Sequence, residues 1–201
     1  MATLVIGTHN RKKGREIVRI LDGCGATLHT LEDFPGAPEP VEDGETFEAN
    51  AIKKATELAE ALGTMVAADD SGLEVDALGG RPGVFSARYG GEHGNDPLNI
   101  ARVLREMEGV PPERRTARFR CVAALAAPGA LLATTHGTVE GVIAEEPRGT
   151  NGFGYDPIFF VPALGRTCAE LEPGDKHKIS HRGQAFRALR AELPRLLPLE
   201  P

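Results

Sequence analysis

The stretch TLVIGTHNRKKGREIVRIL, residues 3–21, sets a short apolar strand, Thr3 to Gly7, directly before a polar turn and a helical pattern from about Asn10 to Leu21. With Ile17 and Leu21 as the buried stripe, at about 100° per residue, Lys13 falls beside that stripe and Lys12 points away from it. A strand that passes at once into a helix is the repeating unit of α/β folds. Outward from this stretch the alternation continues. A Pro- and acid-rich loop, EDFPGAPEPVEDGE (residues 32–45), gives way to a helix from about Thr46 to Leu62. Its apolar face carries Phe47, Ala51, Ala55, Leu58 and Leu62, and Lys54 lies on that face whereas Lys53 lies opposite. An inward lysine is uncommon because an unpaired buried ammonium is costly. Next come a strand from Met65 to Ala68 that runs into Asp69-Asp70-Ser71-Gly72, and a second apolar run from Leu73 to Leu78. A helix from about Asp96 to Met107, a hairpin of Ala117–Ala127 with Ala130–Ile143, an apolar run Pro157–Val161 and a last helix from about Ser180 to Leu196 complete the pattern. The reading is an α/β fold with a mixed sheet.

Composition narrows the function. The 201 residues suit one domain, or one domain of two lobes. At 41% hydrophobic and 26% charged residues, the chain can bury a real core, so disorder is not expected. Its 23 basic and 29 acidic residues leave a formal charge of −6, which argues against a surface built for nucleic acid or an anionic membrane. Cys24, Cys121 and Cys168 show no C-x-x-C pairing and read as buried thiols of a reducing compartment. From Cys121 to Val139 there is no formal charge, roughly the length of a membrane span. Pro128-Gly129 in its middle favours two strands and a turn instead. The opening MATLVIGTHN has too short an apolar run for a signal peptide. The expectation is a cytoplasmic protein with no membrane or nucleic-acid partner.

Four segments carry candidate chemistry. The turn Thr8-His9-Asn10-Arg11-Lys12-Lys13 joins a strand to a helix N-terminus, a usual setting for phosphate, with Thr8 and Asn10 as donors and Lys13 as a charge. It is not a Walker A loop, and capping by Thr8 or Asn10 beside a solvated basic patch accounts for the same residues. Glu42 and Asp69-Asp70-Ser71 present carboxylates where an apolar strand ends, which suits Mg²⁺ or a water, although Asp-Asp-Ser-Gly is also a good turn signal. Alternation along a strand would let only one of Asp69 and Asp70 face the site. In Gly149–Pro157, Phe153 between Gly152 and Gly154 is a poor core choice and a fair stacking platform for a base, although an ordinary glycine turn with the ring tucked inward accounts for the same residues. In the basic run from Lys176 to Arg182, Ser180 can cap the last helix, which puts His181 and Arg182 in its first turn. Cations there cost stability unless something anionic or carbonyl-like meets them, although a solvated basic run accounts for the same residues.

Taken together, THNRKK, EDGETFEANAIKKA, ADDSGLEVDALGGRPGVFSARY, GFGYDPIFF and ISHRGQA, in this order, resemble the inosine triphosphate pyrophosphatase family, the XTP/dITP diphosphatases. The resemblance implies an elongated mixed sheet flanked by helices, with two lobes around a central cleft, in a homodimer. It implies hydrolysis of ITP, dITP and XTP to the monophosphate and pyrophosphate with Mg²⁺, which cleanses the nucleotide pool. By motif position, Asp70 would be the catalytic base, with Lys13 and Lys54 on the phosphates, and Glu42 and Asp70 would hold the metal. Thr8, His9, Asn10, Arg11, Lys12, Lys13 and Ser71 would contact the substrate. Phe153, Gly154, Tyr155 and Asp156 would line the base and sugar pocket, and Lys176, His181 and Arg182 would read the base. His9 departs from the small residue or Asn usual at its position. A 6-oxo base would accept from His181 and Arg182, whereas adenine would leave those donors unpaired. A Maf-like pyrophosphatase is disfavoured by the ISHR and FGYD segments, and a non-cleaving nucleotide sensor by the presence of both Glu42 and Asp70.

Overall fold

The computed structural model describes residues 2–197. Its strands are β1 (Ala2–Ile6), β2 (Ala26–Thr30), β3 (Met65–Val75), β4 (Thr116–Ala127), β5 (Ala130–Ile143), β6 (Phe159–Val161) and β7 (Arg166–Thr167). Its helices are α1 (Arg11–Leu21), α2 (Phe47–Leu62), α3 (Asp96–Glu106), α4 (Pro173–Ile179) and α5 (His181–Leu196). The strands form one sheet in the order β2-β1-β3-β4-β5-β6-β7. β1 runs parallel to both β2 and β3, whereas β6 is antiparallel to β5 and β7, so the sheet is mixed as the sequence predicts.

By packing, the chain divides into two compact units. One holds Met1–Asp70, Cys121–Gly137 and His181–Pro201; the other holds Ser71–Arg120 and Thr138–Ser180. In the first, Leu4, Ile6, Met65, Ala67, Ala123 and Leu125 of the sheet pack on Ile17 and Leu21 of α1 and on Phe186, Leu189 and Leu193 of α5. Burying each such large side chain contributes about 1.5–3 kcal/mol. The opposite face carries α2, whose Ala51, Ala55 and Ala59 let the helix come close. That approach explains Gly7, where a Cβ would lie 2.7 Å from Val66 Cγ1 and 2.9 Å from Leu58 Cδ1. Side chains alternate along β3. Met65, Ala67 and Asp69 therefore face α1 and α5, while Val66, Ala68 and Asp70 face α2.

The second unit has its own core, in which Leu73, Val75, Phe119, Ile158 and Phe159 pack against Val103 and Met107 at the end of α3. Phe119 and Phe159 meet with ring centroids 4.3 Å apart. Arg115 is buried and gives its guanidinium to four carbonyls, those of Met107, Val110, Ile143 and Ala144.

Local signals set most boundaries. Asn10 caps α1 by accepting from the N–H groups of Lys12 and Lys13, and Thr46 caps α2 by accepting from Ala49 N–H. Such caps contribute about 1 kcal/mol each. Gly63 closes α2 in the left-handed conformation, at φ 63°.

The structure also corrects the sequence reading. Asp69-Asp70-Ser71-Gly72 is no turn: β3 runs unbroken from Met65 to Val75. β2 was not anticipated, because a five-residue edge strand with no fully buried position carries little alternation. The first part of the basic run, Lys176 to Ile179, belongs to a separate short helix, α4. The uncharged stretch from Cys121 to Val139 lies in β4 and β5, joined by two residues as neighbouring antiparallel strands can be. Among the described residues, no helix is long and apolar enough to cross a membrane.

Candidate active site

In the first unit, the end of β1 turns into α1 through Gly7 and Thr8, and Gly7 N–H bonds Ala67 O of β3 at 2.8 Å. The turn therefore sits beside the strand that delivers the two acids. Thr8 Oγ accepts from Asn10 N–H (3.2 Å), and Asn10 Oδ1 accepts from Lys12 and Lys13 N–H (3.0 and 3.2 Å). These caps use the oxygens as acceptors, which leaves the Thr8 hydroxyl proton and the Asn10 amide nitrogen to donate. His9 is exposed, with Nε2 at 3.4 Å from Pro38 O. Arg11 and Lys12 are exposed, whereas Lys13 is half-buried with Nζ at 3.7 Å from Asp69 Oδ2, as the helical phase predicts.

On the α2 face, Glu42, Asp70 and Lys54 converge. Lys54 Nζ lies 2.6 Å from Glu42 Oε1 and 3.7 Å from Asp70 Oδ1, and its side chain is buried. Lys53, one residue away, instead meets Asp43 and Glu57 at the surface. Burial alone would lower the Lys54 ammonium, yet Asp70, Asp69 and Glu42 together raise its pKa. Burial pushes the Glu42 carboxyl up, but Lys54 and Lys13 outweigh it and hold the group below its ordinary value. For Asp70 burial wins: its carboxyl is raised despite Lys54, Lys13 and a hydrogen bond from Asn50. A carboxylate made more basic in this way is a better proton acceptor.

The chemistry of the donor set bears on a metal. Two carboxylates face one cationic centre, and their oxygens are hard donors of the kind Mg²⁺ prefers. Among the described residues no group of three or more His, Cys, Asp or Glu is placed to hold a metal. An ion bound through Glu42 and Asp70 alone, keeping waters or phosphate oxygens for its other positions, fits Mg²⁺.

Asp69 faces the other way. Its Oδ2 lies 3.3 Å from Arg182 Nε, 3.7 Å from Lys13 Nζ and 3.8 Å from Cys121 Sγ. Arg182 is buried and also gives Nη1 to Glu16 at 2.8 Å. The anions that meet this first-turn cation of α5 are therefore the protein's own carboxylates. Burial opposes its charge, but Asp69 and Glu16 keep the guanidinium pKa above its usual value. His181 beside it is half-buried.

In the second unit, Ser71 is half-buried at the point where β3 enters it. Asp156 organises the glycine loop: its Oδ2 accepts from Lys176 Nζ at 2.5 Å and from Phe153 N–H at 2.8 Å, and both charged residues are buried. Gly152 is required here, since at φ 79° its Cβ would strike Asp156 Oδ2. Phe153 is half-buried, with Lys176 Nζ 5.0 Å from its ring centroid, a cation–π contact. Gly154 N–H donates to Asp96 Oδ2 at 2.7 Å, and the buried Tyr155 hydroxyl donates to Ser86 O at 2.8 Å.

Two participants, Asn50 and Glu16, escaped the sequence reading. Asn50 is fully buried and holds Asp70 Oδ2 at 2.9 Å while accepting from Gly44 N–H. Glu16 anchors Arg182. Their positions carried a usable signal. Asn50 is four residues before Lys54, and Glu16 three after Lys13, the spacings at which helical side chains share a face.

Comparison with known proteins adds an independent line. A model described as the Ham1 family matches residues 4–192. A Geobacter sulfurreducens protein named dITP/XTP pyrophosphatase is 54% identical over 193 residues, 96% of this chain and 97% of that protein. A Bacillus subtilis protein of the same name is 51% identical over 189 residues, 94% of this chain and 96% of its own length. Among solved structures, a HAM1 protein from Coxiella burnetii matches with a TM-score of 0.89 at 43% identity, covering 97% of this chain and 100% of that one. The Staphylococcus aureus Ham1 protein matches with a TM-score of 0.87 at 40% identity, covering 96% and 99%.

Proposed function

The chain belongs to the Ham1 family, and on that footing we propose that it is a nucleoside triphosphate pyrophosphohydrolase acting on the non-standard purine nucleotides XTP, dITP and ITP. The observation that carries this reading is Asp70, delivered by β3 beside Lys54 and Glu42 on the α2 face. A triphosphate needs its charge neutralised and a water aimed at the α-phosphorus. Lys13 and Lys54 supply positive charge, and the Thr8–Asn10 turn supplies donors. Asp70, made basic by burial and oriented by Asn50, accepts the proton of the attacking water. The water oxygen bonds to the α-phosphorus, the bond to the bridging oxygen breaks, and pyrophosphate leaves with that oxygen. Mg²⁺ held by Glu42 and Asp70 would supply further neutralisation of the phosphate oxygens.

Phe153 is our stacking surface for the base, with Lys176 poised beside the ring by Asp156 and the Gly154-Tyr155 segment pinned by Asp96 and Ser86. His181 and Arg182 are our readers of the 6-oxo group; for Arg182 this means exchanging Asp69 or Glu16 for the base, since its Nε and Nη1 engage those carboxylates. Ser71 is a substrate contact in the same proposal, and His9, Arg11 and Lys12 flank the phosphates. With it come a single domain of two lobes, a cytoplasmic homodimer and the clearing of deaminated purines from the nucleotide pool.

Product analysis with Mg²⁺ across ITP, dITP, XTP, GTP, dTTP and ATP tests this directly. Monophosphate and pyrophosphate from the 6-oxo, non-standard purines, with little from ATP, is expected. An Asp70→Asn variant should bind substrate yet turn over about 10²–10⁴-fold more slowly, the usual contribution of a positioned base. Turnover confined to dTTP, or release of single phosphates, refutes the proposal.

A further inference from the structure

Between α1 and the end of β2 lies a cavity of about 500 Å³, within the size range of small-molecule sites. Arg11, Arg15 and Arg19 line it. Spaced four apart, they stack on one face of α1, each about 6 Å further along the axis than the last. Glu32 is the one carboxylate of the lining, and it pairs with Arg11 across the groove, Nε to Oε1 at 2.6 Å. Among the described residues, Arg15 and Arg19 have no ion-pair partner, unlike Arg118, which engages both Asp76 and Glu140. Thr8 and His9 of the β1–α1 turn close one end. A chain with a net charge of −6 thus keeps a concave wall of three guanidinium groups facing a single acid.

We propose that this groove is a second anion site, which takes a chain of linked phosphates either as free pyrophosphate or as the tail of a nucleotide. Guanidinium forks match phosphate oxygens two at a time, and stacked forks along one helix suit a linear polyanion better than a single phosphate. The lining shares only Thr8, His9 and Arg11 with the proposed catalytic residues and none of its carboxylates. Binding there is read without turnover, so it stands or falls apart from the proposed activity.

The test is calorimetric titration of the metal-free full chain with inorganic pyrophosphate, and separately with ATP. The wild type is compared with Arg15→Ala/Arg19→Ala and with Arg114→Ala/Arg166→Ala, which removes the same charge from exposed positions elsewhere. Alanine favours helix, so the α1 variant should fold, and a thermal melt verifies it. One pyrophosphate-binding event should weaken by about tenfold or more in the α1 variant and remain in the control, as expected when charge-assisted hydrogen bonds are lost. Parallel loss for ATP identifies the phosphate chain as the ligand in either form; loss for pyrophosphate alone identifies the free ion. Unchanged binding in the α1 variant, or equal loss in the control, overturns the proposal.

Discussion

Replacing Lys176 with Met should expose how much of the glycine loop depends on one buried ion pair. Asp156 is 3% exposed and Lys176 8%, and their charged atoms are 2.5 Å apart. Removing one partner of such a pair leaves a buried charge uncompensated, which typically costs about 3–5 kcal/mol. The Phe153 N–H still donates to Asp156, which places the expected loss near the low end, about 3 kcal/mol. For a chain of this size that corresponds to a fall in Tm of about 6–12 °C. The loss should depend on pH. Without Lys176, burial raises the folded-state pKa of Asp156 above its unfolded value. A group raised in this way stabilises the fold at pH below the unfolded value and loses that contribution as pH rises through the folded one. The deficit against wild type should therefore be greatest near neutral pH and shrink as pH falls toward 4. A companion Lys176→Met/Asp156→Asn variant, which removes both charges, should recover much of the neutral-pH loss. Circular dichroism melts between pH 4.5 and 7.5, with a chelator present, measure all of this. A deficit below about 1 kcal/mol, one that ignores pH, or a double variant no better than the single would refute the ion-pair argument.

Other perturbations have equally definite outcomes. Gly137→Ala should lower Tm by several degrees, because a Cβ there would collide with His181 O and crowd Ala185 N; overpacking usually costs about 1–3 kcal/mol. Glu106 accepts from the Tyr89 hydroxyl and Arg102, with Arg81 nearby, and these hold its carboxyl below the ordinary value against the pull of burial. Its stabilisation is therefore present above the unfolded pKa and lost as pH falls through the lowered one. Glu106→Gln should cost about 1–2 kcal/mol at pH 7 in chemical denaturation and converge on wild type in acid. Cys24, Cys121 and Cys168 are all buried, and burial pushes Cys168 up to about 12. Native protein at pH 8 should react slowly with a thiol reagent, then release all three on denaturation; a fast-reacting thiol in the folded state would contradict the burial.

What could be read from the residues alone was what depends on neighbours along the chain. Apolar spacing marked α1, α2, α3 and α5 and the β4–β5 hairpin, and helical phase separated Lys13 from Lys12 and Lys54 from Lys53. Asn10 was legible as one of two candidate caps, with Thr8, because a cap bonds residues two or three positions on. The edge strand β2 and the short α4 were not legible, since neither carries enough periodic burial to stand out.

Only tertiary packing decided how the acids divide. Asp69 and Asp70 are chemically alike and adjacent, and no local pattern assigns them. Their fates separate because strand side chains alternate and the sheet carries different helices on its two faces. Asp69 meets Lys13 and Arg182 on the side of α1 and α5, whereas Asp70 meets Lys54 and Asn50 on the side of α2. The same holds for Glu16 and Arg182, 166 residues apart, whose contact exists only because α1 and α5 share one face of the sheet. The sequence determined which residues bear charge and where each helix turns them; the packing of helices on the two faces of the sheet determined which charges meet.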